Sequence, residues 1–227
     1  MKARILRTAA LAIVGTLAIT GAASAQVTKS AAGYLFRMKF VKGAKYSFNM
    51  SVGNNAPGMP AATRNMNIPM SMSIVSAEGH SGTVRVDSTN PMSGKPSSTV
   101  IKMDDHGKPV GGNMPMQMNI SQAMPDKPLK IGQSYSATNS MNSPLGGGQT
   151  TVITKVTFVG IRNEGGREVA VMNIASHASG GMTISSTGTQ SIATSDGWPV
   201  SMKMVSQLSM GSRTTQPMSM VVTMKRQ

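Results

Sequence analysis

The sequence predicts an all-β protein: an antiparallel sheet of about ten strands from two similar halves, arranged as a barrel, half-barrel or sandwich. Three observations lead there. Apolar and polar residues alternate in several segments, the period of half-buried strands. Turn residues recur at regular intervals between those segments. No stretch after residue 25 holds the apolar period of a helix.

The strands follow in order. Tyr46, Phe48, Met50 and Val52 share one parity, and so do Met66, Ile68, Met70, Met72 and Ile74. Met114, Met116, Met118 and Ile120 repeat the pattern, as do Met218, Met220, Val222 and Met224. A strand has period 2, so each set lies on one face. Glu78-Gly79 and Asn163-Glu164-Gly165-Gly166 read as hairpin turns. Residues 105–110 and 195–200 read as a second matched pair, each carrying Gly-x-Pro-Val.

These landmarks repeat at nearly constant spacing. Gly43, Tyr46 and Ser47 correspond to Gly132, Tyr135 and Ser136. Gly107, Pro109 and Val110 correspond to Gly197, Pro199 and Val200. A Gly- and Pro-rich loop (53–64; 143–148) follows the first strand of each half. The pattern predicts one β domain over 26–227, with duplicated halves at about 40–125 and 129–224.

The first 25 residues are set apart as a signal peptide. Lys2, Arg4 and Arg7 precede an uncharged apolar stretch over 9–20, and Ala23-Ser24-Ala25 offers small residues for cleavage before Gln26. The apolar run of about 12 residues falls short of the about 20 that a spanning helix needs, and no later segment is long and apolar enough to span. Export to the periplasm or the exterior, with no transmembrane segment in the mature form, is the expectation.

Of the 22 basic residues three leave with this segment, and none of the 8 acidic ones do, so the mature chain carries a formal charge of +11. The basic residues are scattered and the aromatics few, which argues against nucleic acid. An anionic envelope surface is the better-suited partner for such a field. There is no cysteine, which excludes disulfides, thiolate metal sites and lipidation through an N-terminal cysteine.

Methionine replaces leucine: the mature chain has 21 Met and only four Leu. Pro69-Met70-Ser71-Met72, Pro115-Met116-Gln117-Met118 and Pro217-Met218-Ser219-Met220 form a recurring motif, and Met202 and Met204 form a further pair. Methionine fills irregular cores, so a Met-lined face can be packed interior. It also suits a cavity for ligands of varied shape. On the second reading Met70, Met72, Met116, Met118, Met202, Met204, Met218 and Met220 line a site for an apolar or lipid-like ligand. Thioethers also select Cu(I), with Met70, Met72, Met116, Met118, Met218 and Met220 as ligands, which makes copper tolerance the alternative. His80, His106 and His177 neighbour none of these pairs. A structural, envelope-associated role is a third reading.

Catalysis is not expected, and no cofactor is. Asp104-Asp105-His106 occupies a turn, where Asp serves local hydrogen bonding. Gly79-His80-Ser81-Gly82 lacks nucleophile-elbow spacing, and Gly146-Gly147-Gly148 lacks the lysine of a phosphate loop.

Lys130-Ile131-Gly132-Gln133-Ser134-Tyr135, the Met-rich strands and Asp196-Gly197-Trp198-Pro199 resemble features of uncharacterised bacterial exported β proteins. The same landmarks are faintly similar to envelope lipoprotein carriers of the LolA and LppX type. That resemblance implies a half-barrel with an apolar concave face. The chain departs from the LppX type in having no lipidated cysteine, and no functional residue carries over.

Overall fold

The computed structural model describes residues 26–54, 65–90, 94–111, 123–142, 149–179, 183–209 and 218–227. The signal segment, the Met114–Ile120 pattern with Met116 and Met118, and the 143–148 loop lie outside the described residues. Every regular element among those described is a strand. They are β1 (Val27–Ser30), β2 (Gly33–Phe36), β3 (Lys45–Asn54), β4 (Asn65–Glu78), β5 (Ser81–Thr89), β6 (Pro96–Asp104), β7 (Ser134–Asn142), β8 (Gln149–Glu164), β9 (Arg167–Ser179), β10 (Thr183–Ala193), β11 (Pro199–Ser209) and β12 (Met218–Arg226).

Ten strands form one antiparallel sheet in the order β6-β5-β4-β3-β12-β11-β10-β9-β8-β7, and β1 and β2 pair separately. The sheet ends in β6 and β7 and does not close into a barrel. Its companion is a two-stranded hairpin, so two comparable sheets do not stack either. The expected all-β class holds, and an open sheet covered by a small hairpin is the arrangement it takes. The first loop starts later than the sequence suggests, because Gly53 and Asn54 still pair with β12.

The parity sets of β3 and β4 fall largely as the alternation requires, whereas on β12 only Met224 is buried. Tyr46, Phe48 and Met50 in β3 are buried, and so are Ile68, Met70, Met72 and Ile74 in β4. Pro69 lies one residue beyond the last β4–β5 pair, Met70 with Ser88, so its missing N–H breaks no ladder bond on that side.

What covers this inner face comes from outside the sheet. Phe36 of β2, Met38 from the segment after it, and Met124 and Leu129 join the sheet's apolar side chains in one core. Phe36 and Tyr34 each meet Phe158 edge-on at 5.1 Å between ring centroids. Residues 37–39 then pass between the two matched turns. The Met38 N–H donates to the Asp105 carbonyl (2.7 Å) and the Lys39 N–H to the Asp196 carbonyl (2.8 Å). Inside those turns the Asp104 carboxylate accepts the N–H groups of His106 and Lys108, and the Asp196 carboxylate accepts that of Trp198. Gly43 and Gly132 share φ 85°. Each donates to the residue at a bulge in its long strand, Ile74 in β4 and Phe158 in β8.

Trp198 is 1% exposed. It stacks on Tyr46 at 5.0 Å, meets Phe40 edge-on at 5.9 Å, and donates from Nε1 to the Lys39 carbonyl at 2.9 Å. Arg226 lies 4.3 Å over the other partner of this stack, the Tyr46 ring, and pairs with Asp196 at 3.0 Å. Burial, reinforced by the Asp196 charge and opposed by Arg226, pushes the Tyr46 phenol up to about 12. An unfolded tyrosine titrates near 10, so the folded state holds this proton more tightly. The stability it contributes is present below pH ~10 and is lost as pH rises towards ~12. Urea midpoints measured across that window should fall steeply for the native chain and less steeply for Tyr46→Phe.

Candidate functional site

Residues 123–129 form a short wall beside the edge strand β7. Met124 is fixed to the 104–108 turn by its N–H to the His106 carbonyl (2.7 Å). Arg37 donates to the carbonyls of Pro125 (3.0 Å) and Asp126 (3.3 Å). Asp126 meets Lys108 at 3.1 Å and His106 at 3.2 Å, and the Lys108 hydrogen bond and charge hold its carboxyl below the usual aspartate range. Leu129 exchanges backbone hydrogen bonds with Tyr34.

Between this wall and β7 lies an open cleft of about 750 Å³. Met124, Leu129, Tyr135 and Ala137 supply its apolar surface, while Lys108 and Lys127 are its basic members. Tyr135 and Ala137 carry the inner-face rows of the sheet to its edge, since Tyr135 pairs with Val156 and Ala137 with Thr154. Burial raises the Tyr135 phenol well above the ordinary tyrosine range, so it is neutral at physiological pH.

Adjoining the cleft is a small, partly open cavity of about 20 Å³, whose lining includes Phe36, Met38, Met172, Gln190 and Ile192. Met124, Pro125 and Tyr135 belong to both linings and partition the two spaces. Gln190 lies on the inner face of β10, paired in register with Met172 on β9 and Met202 on β11.

The sequence-derived methionines sit elsewhere. Met70, Met72 and Met202 are 7%, 8% and 3% exposed within the main core. Met204 packs half-buried against that core. On β12 Met218 is half-buried and Met220 is exposed. None of these six lines the cleft or the small cavity. Met70 and Met72 do face one way, as the spacing requires, but into packed side chains.

Two features escaped sequence reasoning. Tyr135 served only as a repeat landmark, although its parity turns it to the inner face. Gln190 shares inward parity with Ser186 and Ile192, so an inward carboxamide was readable from the alternation. The acidic turn also gains a contact that sequence separation hid: His80 Nδ1 lies 2.8 Å from Asp105. Among the described residues no three His, Asp or Glu converge to hold a metal ion.

No family model matches the chain. No curated protein matches it either, and no likeness to carriers of the LolA and LppX type is shown. Among solved structures, it is similar to a candidate exported protein of Bacteroides fragilis with a YmcC-like fold. That similarity has 14% identity and a TM-score of 0.37, and covers 85% of this chain and 99% of that one. No helix among the described residues is long and apolar enough to cross a membrane.

Proposed function

We propose that the chain is an exported, non-catalytic protein that binds an apolar or lipid-like ligand in the cleft between residues 123–129 and β7. The observation that carries this reading is the cleft itself, which is large enough for a small amphiphile and walled by Met124, Leu129, Tyr135 and Ala137. Lys108 is paired with Asp126 on the same cleft, so with Lys127 its polar rim is only weakly basic. The Met-x-Met pairs contribute to packing in this reading. A Cu(I) role gains no support from Met70 and Met72, whose sulfurs lie in the core. Export rests on Lys2, Arg4, Arg7, the apolar 9–20 stretch and Ala23-Ser24-Ala25.

Phenylnaphthylamine, a neutral apolar dye that brightens on leaving water, tests the ligand reading. Its emission should rise and saturate at one dye per chain. Ala137→Trp, which fills the cleft from the strand edge, should weaken binding at least about tenfold, on the scale of one lost apolar contact. Met70→Leu should leave it unchanged. Loss of binding in Met70→Leu with full binding in Ala137→Trp would place the ligand in the wrong half of the sheet. For export, the mature product from a secreting bacterial host should begin at Gln26, and a membrane-retained product keeping residues 1–25 would contradict it.

A further inference from the structure

We infer that Gln190 is the polar anchor of this binding site, selecting uncharged ligands that carry a hydroxyl or carbonyl group at one end of an apolar body. The inference rests on the ligand reading of the cleft and adds the chemistry of its deep end. Among the described residues the other buried polar side chains are hydrogen-bonded. Thr154 meets Ser176 at 2.8 Å, and Ser186 donates to Ser206 at 2.8 Å. Ser191 and Thr194 donate to the carboxylates of Glu164 and Glu168. Gln190 is 6% exposed, yet its carboxamide has no hydrogen-bond partner among the described residues.

A buried carboxamide left without partners destabilises a fold relative to an apolar side chain of the same shape. Gln190 can offer two donors and an acceptor. It lines the small cavity, whose other walls include Phe36, Met38, Met172 and Ile192. The cavity's volume of about 20 Å³ has room for one water-sized group, a terminal hydroxyl or carbonyl oxygen. The rest of such a ligand fits the cleft, which shares Met124, Pro125 and Tyr135 with the cavity. Met124 is the movable part of that partition, because a thioether side chain with three rotatable bonds repacks readily.

The same walls disfavour a charged end group. Burying a carboxylate among them without a counter-ion is unfavourable. Of the basic groups nearby, Arg37 is engaged by the carbonyls of Phe36, Pro125 and Asp126 and Lys108 by the Asp126 carboxylate, while Lys127 lines the cleft and not the cavity.

The test uses phenylnaphthylamine displacement by decane, decanol and decanoate from the mature chain and from Gln190→Met, a change that keeps length and removes the amide. In the native chain decanol should displace the dye better than decanoate. Gln190→Met should weaken decanol about tenfold, the worth of one buried hydrogen bond, and leave decane unchanged. Equal decanol affinity in both proteins would overturn the role of Gln190 while leaving the cleft reading intact. Failure of the native chain to bind dye or decane would overturn both. A measurement without any variant stands beside these: the carbonyl stretch of bound methyl octyl ketone should shift to lower frequency on hydrogen bonding. A stretch at its alkane-solvent position would count against the anchor.

Discussion

Trp198→Ala should destabilise the protein by about 3–5 kcal/mol, the range for deleting a large buried aromatic. Trp198 joins parts of the chain that share no strand pairing. Its ring stacks on Tyr46 of β3 and meets Phe40 edge-on, and its Nε1 donates to the Lys39 carbonyl. Truncation removes packing on both aromatic partners and leaves that carbonyl without its donor, in a place where 1% exposure shows little access for water. Trp198→Phe keeps a ring but not the N–H, so its loss should be smaller, about 1–3 kcal/mol. Urea unfolding followed by circular dichroism separates the two variants. A loss below about 1 kcal/mol in Trp198→Ala would mean that residues 37–40 are held by their backbone bonds alone.

Gly197→Ala should be comparably severe for a different reason. Gly197 has φ +72°, and a Cβ there would stand 2.0 Å from the Arg37 carbonyl oxygen. The backbone conformation alone costs an L-residue about 1–2 kcal/mol. The clash is with main chain, so it must move residues 37–39 and strain the Lys39–Asp196 hydrogen bond. Gly43→Ala provides the internal standard. It shares the positive φ, at +85°, but a Cβ there meets nothing within 4 Å. Gly43→Ala should therefore show the backbone cost alone and Gly197→Ala clearly more. Equal losses would mean that the crossing segment yields without cost.

These two sites show why the sheet was more legible than its covering. In β3 and β4 the inward residues recur at period 2, and that parity fixes which side chains face the core. The turns were legible from Glu78-Gly79 and Asn163–Gly166, because their geometry depends on local residues. The covering depends on contacts across the chain. Phe36, Met38 and Phe40 share a parity that reads as one more strand, and nothing local says that they cross the sheet between two turns. Gly43 and Gly132 share a φ of 85°, and each donates to the residue at a bulge in a long strand, Ile74 in β4 and Phe158 in β8.

The candidate site was less legible for a related reason. Parity places Met70 and Met72 on one face, but it does not distinguish a filled face from an open one. Beside β7, residues 125–126 are tied to Arg37, His106 and Lys108. Those contacts join segments with no common pattern. Gln190 is the exception, since its inward parity in β10 was present in the alternation.

In the proposed function, ligand enters beside β7 and not among the Met-x-Met pairs. Carbon-13 labelling of the methionine methyl groups, followed by titration with decanol, tests it most directly. Met124 lines the cleft and Met172 the cavity adjoining it, so their methyl resonances should shift together and saturate. Met70 and Met72 should stay in place. Shifts centred on Met70, Met72 and Met202, with Met124 unmoved, would contradict the account.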